Sequence, residues 1–173
     1  MDSLSFPRTA APTEISTRQN NLIAAAQRGE IAAFNNLVRA YQELAYRLAH
    51  FVLDDAGTAT TATQNAFLRA HRLIRTCPRE NFRVWFLKIL IQQCRKSERA
   101  AWLTPHARAA SFSSPLQMGL ATIPFDDRVA CVLHDIVGLS DDESARITGA
   151  TILNVREKRS RARRQLRDVI KML

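Results

Sequence analysis

Residues 139–166 read LSDDESARITGATILNVREKRSRARRQL, and this stretch decides the fold. Ser140 stands three residues before Glu143, the spacing at which a serine hydroxyl and a glutamate carboxylate each satisfy a free backbone N–H at a helix start. A short helix is predicted from there through Ala145 and Ile147 to Thr148. Gly149 permits the turn, and Thr151 can cap a last helix from Ile152 onward. Two helices, of about eight and more than a dozen residues, joined by a tight turn with Gly form a helix-turn-helix, whose second helix enters a DNA major groove. Many helical hairpins share that outline, but the charge sharpens the reading. Between Arg156 and Lys171 stand eight basic residues, Arg156, Lys158, Arg159, Arg161, Arg163, Arg164, Arg167 and Lys171, against only Glu157 and Asp168. A basic run placed where a recognition helix belongs points to nucleic acid.

Outward from this motif the pattern stays helical. Leu116 to Thr122 is a short apolar helix; Pro124 opens a longer one, with Asp126 and Asp127 complementing its dipole and Val129, Val132, Leu133 and Ile136 as its buried stripe, ended by Gly138. Residues 100–115, with Pro105, Pro115 and a Ser-Phe-Ser-Ser stretch, read as a flexible linker. Before it, apolar residues recur in steps of three and four from Ile31 through Phe34, Leu37, Tyr41, Leu44 and Leu48 to Val52, an amphipathic helix. Leu22, Ile23 and Ala26 make a short helix ended at Gly29. A third helix carries Ala66, Phe67, Ala70, Leu73 and Ile74 and cannot continue past Pro78. A fourth carries Phe82, Trp85, Phe86, Ile89 and Leu90 on one face, with Arg95, Lys96, Glu98 and Arg99 at its end. Residues 1–19 lack an apolar period and read as a mobile leader. The expected architecture is all-α: two small helical domains, 20–99 and 116–173, joined by the linker, the second holding the helix-turn-helix.

The 173 residues carry a formal net charge of +9, and 46% are hydrophobic, which suits a folded chain and excludes wholesale disorder. Five Gly and six Pro argue against a turn-rich sandwich or barrel. No apolar run reaches the roughly 18 residues of a membrane span, and Met1 to Pro12 lacks the order of a signal peptide, so a soluble cytoplasmic protein is expected. Cys77, Cys94 and Cys131 are odd in number and lack metal-ligand spacing; ordinary reduced thiols in a helical core are expected. His50, His71, His106 and His134 have no paired nucleophile, so no enzyme, metal, cofactor or small-molecule substrate is expected.

The surplus charge is localised. Residues 69–108 hold ten Lys or Arg and two Glu, whereas residues 126–146 hold two basic and six acidic side chains. Two basic segments in two linked domains suggest two nucleic-acid contacts. In the first, Phe82, Trp85 and Phe86 alternate with Arg79, Arg83 and Lys88, a mixture suited to unstacked single-stranded bases. Phe82, Phe86 and Ile89 are more simply core residues at helical spacing.

RGEIAAFNNLVRAYQELAYRLA, TQNAFLRAHRLI and FRVWFLKILIQQCRKSER, followed by LATIPFDDRVACVLHDIVGLSDDESARITGATILNVREKRSRARRQL, resemble the bacterial RNA polymerase sigma factors of the extracytoplasmic-function group of the sigma-70 family. The resemblance runs from Leu22 to Leu173 except for the linker. It implies a factor that binds core RNA polymerase, whose second domain reads the minus-thirty-five element as duplex and whose first captures the minus-ten element as single strand. By position it assigns the minus-thirty-five contact to Asn154, Arg156, Glu157, Ser160 and Arg161. Arg can pair bidentately with guanine, and Glu can accept from cytosine. It assigns the minus-ten contact and melting to Arg79, Glu80, Asn81, Arg83, Trp85, Lys88 and Gln92, and polymerase binding to Thr60, Thr61 and Gln64. An anti-sigma protein is a further partner the group often has. The chain departs from the family where Thr60 and Thr61 replace an acidic pair, where Arg159 replaces an apolar residue facing the domain's own core, and where Lys96 replaces a common acidic residue. A stand-alone helix-turn-helix regulator that binds DNA without polymerase is the alternative.

Overall fold

Eight α-helices carry the described residues of this computed structural model, 12–79, 81–103 and 115–172, and no strand occurs among them. They are α1 (Pro12–Gln27), α2 (Ile31–Leu53), α3 (Ala56–Leu73), α4 (Phe82–Leu103), α5 (Pro115–Ala121), α6 (Phe125–Cys131), α7 (Asp141–Thr148) and α8 (Ile152–Met172). The start of the expected leader, Glu80 and most of the expected linker lie outside the described residues. Helix α1 begins at Pro12, inside the stretch read as a leader, because proline suits a first helical turn where its missing N–H has no partner to lose. Helix α4 likewise continues past Arg99 to Leu103.

Helices α1 to α4 form one bundle. Ala59, Ala62, Ala66 and Ala70 of α3 are wholly buried, and side chains this small let α2 and α4 approach closely on either side. The large apolar groups come from those neighbours: Leu37, Leu48 and Val52 of α2, Phe82, Phe86, Leu87 and Leu90 of α4. Phe86 lies at the centre, its ring stacked 4.5 Å from Phe67 and 5.7 Å from Phe82. Asp55 caps α3 by accepting from the Thr58 N–H at 2.6 Å.

In the second half the expected capping box is complete. The Glu143 N–H donates to the Ser140 hydroxyl at 3.1 Å, and the Ser140 N–H donates to the Glu143 carboxylate at 2.9 Å. Gly149 ends α7 with a φ of 72°, a left-handed conformation that suits glycine. The Asn154 N–H donates to the Thr151 hydroxyl at 3.2 Å, as expected of a cap on α8. Helix α5 crosses α8 at Gly119, where a Cβ would meet the Leu166 side chain at 2.9 Å. Past Cys131 the chain widens into a π-helical turn, Val132–Ile136, with the Val137 N–H donating to the Val132 carbonyl at 3.0 Å.

The two halves are packed together, sharing one contiguous apolar cluster. Polar links cross between them: the Arg83 guanidinium donates to the Val137 carbonyl at 3.0 Å, Arg128 pairs with Glu98 at 3.2 Å, and Arg95 pairs with Asp126 at 2.8 Å. Arg128 is 2% exposed, a buried cation that an apolar-stripe reading of α6 does not anticipate.

Candidate nucleic-acid interface

Helix α8 turns Val155, Ala162 and Leu166 into the core, which leaves Arg156, Glu157, Ser160, Arg161 and Arg164 exposed. Four of the five residues assigned to duplex reading therefore share the open side of α8; Asn154, at its first turn, is half-buried. The basic side chains are not loose. Arg156 donates to Asp141 at 2.7 Å, Arg161 grips both oxygens of Asp127 at 2.8 and 2.9 Å, and Arg163 pairs with Asp135. Lys158 lies 3.4 Å from Asp126. The acidic stretch of α6 and α7 thus lies against the basic helix and fixes where its guanidinium groups stand.

Arg159 is half-buried and donates to Asp141 at 2.6 Å, so the charged residue at an inward position is met by a carboxylate from α7. Hydrogen bonding from Arg156, with the charges of Arg159 and Arg156 beside it, holds the Asp141 carboxyl below its ordinary pKa. At Asp135 burial works to raise the pKa. Hydrogen bonds from Arg163, His134 and Cys131 outweigh it and bring the value to about 2. All three cysteines are buried, and burial pushes each thiol up to about 12, which leaves them protonated and unreactive at neutral pH.

On the other half, Asn81, Trp85, Lys88 and Gln92 follow in steps of four, three and four, so they form one stripe on the side of α4 away from Phe86 and Leu90. Lys88 and Gln92 are exposed, whereas Trp85 is half-buried against the core, 5.7 Å from Phe82. Arg79 is exposed in the turn before α4. Glu80 lies outside the described residues. Arg83 leaves this group, since its guanidinium reaches the second half instead. Gln27, which the sequence reading passed over, anchors the loop by donating to the Cys77 carbonyl at 2.8 Å and the Ile74 carbonyl at 3.3 Å. A half-buried amide fifty residues away in sequence leaves no local signal.

Thr60, Thr61 and Gln64 are exposed on α3, and both threonine hydroxyls donate back to their own helix, to Ala56 at 2.8 Å and Gly57 at 3.0 Å. Leu68, 60% exposed, extends this surface by one turn and adds an apolar group the sequence reading did not include.

Residues 37–104, which run from α2 through the stripe of α4, match the family described as Sigma-70 region 2. The chain is similar to RNA polymerase sigma factors of the extracytoplasmic-function group. The extracytoplasmic-function RNA polymerase sigma factor SigM of Mycobacterium tuberculosis is 29% identical over 163 residues, 84% of this chain and 81% of SigM. SigE of Mycolicibacterium smegmatis is 25% identical over 167 residues, covering 85% of this chain and 65% of SigE, so the chain spans just under two thirds of that relative. Two solved structures share the fold. CnrH, in complex with the cytosolic domain of CnrY, superposes with a TM-score of 0.74 at 24% identity, covering 90% of this chain and 98% of CnrH. RpoE of Bartonella quintana, in complex with the anti-sigma factor NepR, gives a TM-score of 0.68 at 20% identity over 82% of this chain and 98% of RpoE.

Proposed function

We propose that this sigma factor binds core RNA polymerase in the cytoplasm and directs it to promoters, where it reads the minus-thirty-five element as duplex and captures the minus-ten element as it opens. The observation that carries the reading is the pairing of two unlike surfaces on one chain. One is a capped helix-turn-helix whose open side presents Arg156, Glu157, Ser160 and Arg161. The other is the α4 stripe of Asn81, Trp85, Lys88 and Gln92, an aromatic among amide and cationic groups that suits an unstacked base and its phosphates. Covalent chemistry is left to the polymerase. Asp141 and Asp127 orient Arg156 and Arg161 before binding, which lowers the entropy cost of placing them against DNA.

Geometry adds a step. The names of the two elements put them about 25 base pairs apart, roughly 85 Å of duplex. A compact chain of this length is only about 40 Å across. The halves must part for both elements to be held at once, and the eleven residues 104–114 reach at most about 40 Å when extended, most of the roughly 45 Å difference. Parting breaks the Glu98–Arg128 and Arg95–Asp126 pairs and frees Arg83 to join Trp85 at the minus-ten strand. The α3 surface of Thr60, Thr61, Gln64 and Leu68 is the polymerase contact in this reading, made without the acidic pair usual in the family. An anti-sigma protein is a further partner in this reading, as RpoE of B. quintana is found in complex with the anti-sigma factor NepR.

Co-purification of the tagged chain with core polymerase tests the reading. Stoichiometric capture that falls on Gln64→Ala with Leu68→Ala supports it; tight sequence-specific duplex binding by the free chain, with no polymerase captured, supports the stand-alone regulator.

A further inference from the structure

Two neighbouring side chains at the start of α8 have no place in the contacts described so far. Ile152 is 40% exposed and Leu153 is 67% exposed, and they are the one adjacent pair among the exposed large hydrophobic residues described. Single exposed apolar groups are ordinary on protein surfaces and need no explanation. This pair differs in its location. It occupies the first turn of the recognition helix, next to the exposed Arg156 and Glu157, on backbone fixed by the Thr151 cap. The N-terminal residues of such a helix are the ones that reach base edges in the major groove. The only apolar feature a base pair offers there is the C5-methyl group of thymine.

We propose that Leu153, supported by Ile152, is a specificity-determining residue that packs on a thymine methyl in the upstream promoter element. The inference deepens the proposed function and rests on it. The cationic residues further along the same helix, Arg156 and Arg161, supply attraction to DNA of any sequence through phosphates, and they supply hydrogen bonds to guanine. Leucine can do neither. What it adds is a preference for thymine at one position, because burying its surface against a methyl group removes both from water. Cytosine at that position presents an amino group and no methyl, and leaves the leucine facing a polar edge.

The test uses holoenzyme assembled from the full chain and core polymerase. Upstream duplexes are first selected from a randomised pool, and the selected sequence is then synthesised with uracil in place of each thymine in turn, a change that removes only the methyl. At one position uracil should weaken binding by about fourfold, the factor for one buried methyl-sized group. With Leu153→Ala the loss at that position should fall below about 1.5-fold, while uracil elsewhere acts as before; the substitution is at an exposed helical site, so helix content by circular dichroism should stay the same. Thymine and uracil duplexes bound equally by the wild-type holoenzyme, or a thymine preference that survives Leu153→Ala, would overturn the proposal while leaving the sigma-factor reading intact. Failure of holoenzyme to select any sequence would overturn that reading and this inference together.

Discussion

Glu98→Ala should loosen the contact between the two halves. Glu98 and Arg128 meet at 3.2 Å with only 12% and 2% of their side chains exposed, so removing the carboxylate takes a buried ionic partner from the Arg128 guanidinium. Breaking a buried pair in this way costs about 3 to 5 kcal/mol. The lower figure applies here, because the protein can escape part of the cost by separating its halves and hydrating Arg128. About 3 kcal/mol moves the closed–open equilibrium by roughly 150-fold. Small-angle scattering reads the result: a closed chain has a radius of gyration of about 16 Å, and halves held 40 Å apart give about 23 Å. Helix content should not change, since Glu98 is replaced by a better helix former. Exchanging the charges, Glu98→Arg with Arg128→Glu, should recover part of the compaction. If Glu98→Ala leaves both the radius of gyration and the melting temperature unchanged, the pair does not hold the halves together and the parting step loses its basis.

Three further outcomes follow from the same geometry. Arg161→Ala should weaken holoenzyme binding to the upstream element, and if its guanidinium leaves Asp127 for a phosphate, the salt dependence should fall by roughly 0.9 in slope; an unchanged slope assigns the loss to base reading instead. Trp85→Ala should slow promoter opening more than closed-complex formation, and a pre-melted template should restore the rate; failure of that rescue would make Trp85 a core residue only. The depressed pKa of Asp135, about 2, contributes stability that is present above the ordinary carboxylate value and is lost as pH falls through the folded one. Acid unfolding of the helix-turn-helix half should therefore steepen between about pH 4 and pH 2, and Asp135→Asn should weaken that dependence while lowering stability at pH 7 by at most about 1 kcal/mol, because Asp135 is exposed and solvent screens its pairs.

What could be read from sequence was what depends on near neighbours. The Ser140 and Glu143 capping box, the Thr151 cap, the Gly149 turn and the three-four spacing of α2 all involve residues within a few positions of each other, and all stand as expected. The pairings that organise the site span longer distances. Arg156 meets Asp141 across 15 residues, Arg161 meets Asp127 across 34, and Arg83 meets the Val137 carbonyl across 54. Charge counting separated the acidic stretch 126–146 from the basic helix after it, but could not show that one is laid against the other. The same limit hid Arg128, whose burial depends on Glu98 arriving from α4. Position alone put Arg83 with Trp85; the π-helical turn before Val137 places a carbonyl within its reach, and that turn has no sequence signal comparable to a cap.

As a sigma factor, this chain should make core RNA polymerase initiate at particular promoters. Run-off transcription over a pool of genomic templates, with core polymerase alone and with core polymerase plus the chain, tests it most directly. Discrete transcripts that require the chain and share an upstream and a downstream element at fixed spacing are expected. A pool that yields no chain-dependent transcripts, while the chain binds a specific duplex tightly by itself, would contradict it.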